Sequence, residues 1–312
     1  MIRDHLSHTK IGRLLACQRL FYWHYEERLS PRVPRAPLSM GRAFAEALQH
    51  SDPERGYSAL MEAHARLSEA NAGNPWVSIP DHDDALVQAH TVRGAARAYL
   101  DRYGSHYQTH QTREREFRVP LRNPNTGRAS RTFELVGRLD AVAEDSSLIV
   151  EDKFVGRIPR GDQAWQLLQI DRQVTIGAYL VWRTTGTIPQ EIRYRWTLKP
   201  QIRQRKGESF IEFLDRIEDD YVERPDHYLH EEIATRTIED FGELERDLWR
   251  IAQMVRENRR AGHWPRNTAR CTEFGGCEYL PLCAGEPGAA HQFEVRPGHE
   301  DVNNNKVQLE AA

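Results

Sequence analysis

The chain has 312 residues, 39% of them apolar and 29% charged, which leaves room for one large or two modest domains with a real core and excludes wholesale disorder. With 43 lysines and arginines against 46 aspartates and glutamates, the net charge of −3 excludes a global positive field for nucleic acid, so any such contact needs a local patch. No run approaches the roughly 18 apolar residues of a membrane span, and residues 1–10 are polar without a signal-peptide core, so a cytoplasmic protein with no membrane partner is expected.

From Ser7 onward, Ile11, Leu14, Leu15, Leu20 and Phe21 recur at helical spacing with Ser7 or Thr9 as caps, which places Cys17 on a helix. Pro31, Pro34 and Pro37 mark a rigid linker over residues 29–38, after which residues 40–50 and 85–103 read as helices. The period then changes to two: residues 114–121, 132–142 and 148–154 read as a meander of three antiparallel strands, the first two joined by a turn at 123–127. A long helix over 163–183, a strand over 191–198 and a long helix over 235–260 follow. The segments in order are an N-terminal helical piece (1–39), a core (40–200), a helical region with three cysteines (201–283) and a flexible tail (284–312).

The segment Gly137-Arg138-Leu139-Asp140 and the segment Val150-Glu151-Asp152-Lys153 flank a polar turn. If that turn centres on Asp145 and Ser146, Asp140 lies opposite Glu151, Glu151 and Lys153 share a face, and Asp152 points to the other. Opposed carboxylates repel unless a cation sits between them, and hard oxygen ligands suit Mg²⁺ or Mn²⁺. Lys153 would then orient water and stabilise charge on a phosphate; the competing reading is a plain structural ion pair between Asp140 and Lys153.

Cys271, Cys277 and Cys283 form a late triplet with two five-residue gaps, and Cys17 stands alone early. Thiols this dense in a reducing compartment are metal ligands more often than disulfides, and sulfur selects Zn²⁺ or an iron–sulfur cluster. Arg19, Arg28, Arg32 and Arg35 alternate with Phe21, Tyr22, Trp23 and Tyr25, a mixture suited to phosphates and unstacked bases, and residues 199–206 add Arg203 and Arg205.

The Gly-x-x-Asp strand, the Glu-x-Lys strand and a following helix bearing Gln173 resemble the PD-(D/E)xK nuclease superfamily, in its RecB-like branch. The resemblance implies an α/β restriction-endonuclease-like core of helix, three-strand meander, helix and strand, with added helices. It implies Asp140 and Glu151 as metal ligands, the backbone carbonyl of Asp152 as a further one, Lys153 as the catalytic lysine and Gln173 as its helper or a substrate contact. The branch's helical Gly-x-x-x-His has Ala45 in place of histidine here, with Glu46 or His50 as substitutes, and Gly177 stands where a tyrosine follows the glutamine, with Tyr179 two residues on. The cysteine pattern is similar to the AddB-type and CRISPR-adaptation-type nucleases, which implies that Cys17, Cys271, Cys277 and Cys283 hold a [4Fe-4S] cluster joining the N- and C-terminal segments.

The expected function is a Mg²⁺- or Mn²⁺-dependent deoxyribonuclease, an exonuclease on single-stranded or end-containing DNA, working with a helicase or other DNA-processing proteins. Recombination, repair, phage DNA processing and CRISPR adaptation are its fitting contexts. Two alternatives stand beside it: a catalytically weak iron–sulfur DNA-binding subunit, and a zinc-stapled scaffold.

Overall fold

The computed structural model describes residues 3–33, 36–107, 111–159 and 161–296, which divide into two compact units. The first comprises Met1–His8, Pro34–Ala70 and Pro80–Glu257; the second comprises Thr9–Val33, Asn71–Ile79 and Asn258–Ala312. In chain order the elements are β1 (Asp4–Leu6), α1 (His8–Ala16), α2 (Gln18–Phe21), a π-helical turn (Tyr22–Glu26) and β2 (Leu29–Pro31). Then come α3 (Ala36–His50), α4 (Pro53–Ala70), α5 (His82–Tyr107), β3 (Gln111–Arg122), β4 (Ala129–Ala143) and β5 (Leu148–Val155). The rest are α6 (Asp162–Gln169), α7 (Arg172–Thr185), β6 (Glu191–Leu198), α8 (Phe210–Glu223), α9 (Pro225–Tyr228), β7 (Leu229–Ala234), α10 (Ile238–Ala261), α11 (Leu280–Ala284) and β8 (Phe293–Val295).

The first unit is built on a mixed sheet in the order β1-β4-β5-β6-β7, with β3 also paired to β4. β3, β4 and β5 form the expected antiparallel meander, and the pairing of Ala141 with Val150 and Val142 with Ile149 is the register expected from the turn. β6 runs parallel to β5, as a crossover through helices requires, and β7 closes that edge antiparallel to β6. Apolar residues of α3, α4 and α5 pack with Ala141 and Val150 into the main core, among them Phe44, Ala47, Val92 and Tyr99.

α7 lies close against the meander. A Cβ on Gly137 would meet Leu180 Cδ1 at 2.5 Å, and one on Gly177 would meet Leu139 Cδ2 at 3.2 Å, so both glycines are where strand and helix need the room. Gly177, at the place of the family's tyrosine, is thus a packing residue, while the Tyr179 hydroxyl donates to Glu245 at 2.6 Å. The single helix expected over 163–183 is two helices, because the Asp171 side chain accepts from the Val174 amide at 2.9 Å and restarts the helix as an N-cap.

In the second unit Cys17 is not helical. It is the extended residue (φ −163°, ψ 118°) that caps α2 after α1 has ended. Cys17, Leu20, Tyr279 and Phe293 make a small core with Trp23, Leu29, Cys277 and Leu282. β2 pairs antiparallel with β8, so residues 284–296 include a turn of 3₁₀-helix and a paired strand where a flexible tail is expected from the sequence. Residues 297–312 lie outside the described residues. Among the described residues no helix is long and apolar enough to cross a membrane.

Candidate active site

Four of the residues singled out in the sequence meet at the ends of β4 and β5. Asp140 falls one step beyond the Ala141–Val150 pair, opposite Glu151, and its Oδ2 accepts the Asp152 amide at 2.7 Å. Glu151 is buried, and its Oε1 accepts hydrogen bonds from both Lys153 Nζ and Gln173 Nε2. Alternation puts Asp152 on the other side, where its Oδ1 accepts the Tyr99 hydroxyl at 2.6 Å, and Arg195 Nη1 donates to that same hydroxyl at 3.0 Å. The Lys153 ammonium also sits 5.9 Å from the centre of the Tyr194 ring.

Burial, and then the charge of Asp140, push the Glu151 carboxyl up to about 8; burial likewise raises Asp140. Burial works against the charge of Lys153, yet Glu151 and Asp140 hold its pKa above the ordinary lysine value. Two buried acids therefore sit beside one permanent ammonium, and burial disfavours the charge of both.

Beside Asp140 is a cavity of about 360 Å³ lined by Gly41, Arg42, Phe44, Ala45, Leu48, Glu114, Asp140, Asp152, Lys153 and Phe154, with the buried Glu151 behind it rather than on its wall. Ala45 faces it, while Glu46 is off the cavity wall and pairs with His50 at 3.1 Å. Two nearby residues carry no motif in the sequence. Glu114 on β3 shares the cavity wall, and burial, then Asp140, raise its carboxyl. His8, at the start of α1, lies within electrostatic reach of Asp171, Lys153 and Arg172, with a buried Nδ1 that has no hydrogen-bond partner among the described residues. Burial lowers the pKa of the ring. It is drawn in by the parallel pairing of β1 with Phe133–Leu135, which no local pattern announces.

The four cysteines are all free and all fall in the second unit. Cys17 and Cys277 belong to one apolar cluster, and the Cys277 thiol is raised by burial and by Cys271 and Cys283. The Asn267 amide donates to Cys17 Sγ at 3.3 Å and Trp23 Nε1 donates to Cys283 Sγ at 3.2 Å. Among the described residues no three His, Cys, Asp or Glu side chains already stand together as a metal-binding group.

In the aromatic and arginine segment of the second unit Phe21 is core, while Tyr22, Trp23 and Tyr25 are half-buried and Arg28 is exposed. Phe21 is fully buried against Trp264 at 5.2 Å, and Arg19 Nε donates to the Trp264 carbonyl at 2.9 Å. Tyr25 lies under Lys10, Arg32 faces Glu294 at 3.8 Å, and Arg35 lies outside the described residues. Arg203, Arg205 and Lys206 are exposed.

A three-strand meander carrying an acid pair and a lysine, followed by a helix that reaches back to the second acid, is consistent with a restriction-endonuclease-like α/β fold. Comparison with protein families matches residues 5–284 to the PD-(D/E)XK nuclease superfamily, and the chain belongs to it. Nucleases of this superfamily typically depend on divalent metals such as Mg²⁺ or Mn²⁺. A comparison with curated proteins gave no match.

Proposed function

We propose that the protein is a Mg²⁺- or Mn²⁺-dependent deoxyribonuclease that hydrolyses phosphodiester bonds of single-stranded or end-containing DNA, as a RecB-like exonuclease in recombination, repair, phage DNA processing or CRISPR adaptation. The observation that carries it is the convergence of Lys153 and Gln173 on Glu151 beside Asp140, at the wall of a cavity, in a chain of the nuclease superfamily. The donor set fits a divalent cation: hard carboxylate oxygens from Asp140 and Glu151, with the Asp152 carbonyl as a further ligand. Such a cation would act as a Lewis acid toward the phosphate and make water nucleophilic at neutral pH. Lys153 adds a fixed positive charge for the phosphate, and Gln173 helps hold Glu151 in place.

Residues 199–206 support a nucleic-acid path to this site. Lys199 Nζ lies 5.1 Å over the ring of Phe154, which lines the cavity, and Arg203 and Arg205 extend the positive charge outward. The cysteines suit a [4Fe-4S] cluster by chemistry: four free thiols in one unit, with N–H donors already aimed at two of the sulfurs, as metal-bound thiolates accept. A helicase or other DNA-processing protein would supply the ends or single strands.

Ala45 on the cavity wall favours a second reading, a cluster-bearing DNA-binding subunit without effective catalysis. Anaerobically purified protein offered end-labelled single-stranded, linear duplex and circular DNA, with Mg²⁺, Mn²⁺ or EDTA, separates the two. Cleavage of the linear forms that needs metal and disappears in Lys153→Ala, while DNA binding survives, is the expected result. Wild type and Lys153→Ala that bind DNA equally and cut nothing would give the protein the second role.

A further inference from the structure

Three carboxylates fall at neighbouring register positions across the meander, though among the described residues they are not gathered into a ready metal-binding group. β3 pairs Arg113 with Ala141 and Arg115 with Leu139, so Glu114 falls opposite Asp140, and Asp140 in turn falls opposite Glu151. Glu114 is where β3 leaves regular strand geometry, with φ at 51° in the left-handed region that disfavours residues bearing a Cβ. Its side chain lines the same cavity as Asp140 and pairs with Arg138 at 3.7 Å. Of the other acids nearby, Asp152 bonds Tyr99 and Glu46 pairs with His50 off the wall. The wall of α3 presents Ala45, whose methyl group donates nothing.

We propose that Glu114 is a direct ligand of the divalent cation held by Asp140 and Glu151, supplying from β3 the donor that α3 lacks; this rests on the nuclease reading above. With Asp140 and Glu151, Glu114 would give a divalent cation three carboxylate ligands, with the Lys153 ammonium beside them. A third carboxylate also suits a small, hard ion that keeps the rest of its shell for water and phosphate.

Isothermal titration of Mn²⁺ into the full chain tests this without reference to catalysis, with melting in EDTA as the check on folding. Glu114→Gln is expected to weaken Mn²⁺ binding at least tenfold, as is Asp140→Asn, while Glu46→Gln stays within twofold of wild type. Glu114→Gly removes the carboxylate at a backbone conformation glycine prefers, so it is expected to melt no lower than wild type in EDTA and to lose Mn²⁺ equally, which keeps the test usable if the amide variant folds poorly. Wild-type affinity in both Glu114 variants, with loss in Asp140→Asn, would overturn the role of Glu114 and leave the nuclease reading standing. Loss in Glu46→Gln with none at Glu114 would overturn it in favour of the helix. A wild type that neither binds Mn²⁺ nor cuts DNA would remove both.

Discussion

Glu151 is the residue on which the polar contacts of the site converge, accepting from Lys153 and Gln173 while facing Asp140 across the ladder. Its carboxyl, raised by burial from the usual 4.5 to about 8, binds a proton more tightly in the folded chain than in the unfolded one. Its effect on stability is therefore greatest at low pH and fades as pH rises from about 4.5 toward 8, by at most about 1.4 kcal/mol per pH unit. Melting of the metal-free protein should fall over that range, and Glu151→Gln should flatten the fall; an equal slope in both would show that the carboxyl does not titrate there. Asp140, Glu151 and Lys153 were legible in the sequence because a short turn fixes the β4–β5 register. Glu114 was not. The turn at 123–127 pairs Arg122 with Ala129, but the register shifts between Pro120 and Arg122, and only that shift brings Glu114 opposite Asp140. Proline, lacking an amide hydrogen, is where a ladder can break, yet the size of the shift is not written locally.

At the scale of elements, the contact of α7 with the meander fixes where Gln173 can reach. Gly137 and Gly177 allow that approach, and Asp171 starts the helix at the right place. Gly137→Ala would drive a methyl group into Leu180, so it should destabilise the protein by about 1–3 kcal/mol and reduce cleavage by displacing Gln173. Denaturant melts with a cleavage assay check this, and a variant as stable and active as wild type would show that the helix has slack. Helical and strand periodicity made the meander, β6 and α10 visible beforehand. The break between α6 and α7 was hidden because the apolar stripe runs on through Ile170, which is in fact 79% exposed. Within the Arg and aromatic alternation after Cys17, the core role of Phe21 was hidden: it stacks on Trp264, some 240 residues away, and spacing within one segment cannot show that partner.

At the scale of the whole molecule, the second unit gathers Cys17 with Cys271, Cys277 and Cys283, and β2 with β8, from opposite ends of the chain. Closing so long a loop removes much freedom from the unfolded chain, so a cluster there would act chiefly as a clamp. Anaerobically purified protein should contain iron and acid-labile sulfide in similar amounts, lost in Cys17→Ser together with a lower melting temperature. Zinc in their place would assign the thiols to a zinc staple. The net charge of −3 leaves DNA attraction to local groups such as Arg203 and Arg205, so binding should weaken steeply with salt. Whether this site hydrolyses phosphodiester bonds with a divalent cation is decided by label release from linear single-stranded DNA under Mn²⁺ or EDTA, wild type beside a folded, DNA-binding Lys153→Ala. Release that requires Mn²⁺ and falls at least a hundredfold in the variant is the expected result; release that persists in EDTA or in Lys153→Ala would show that the site does not act this way.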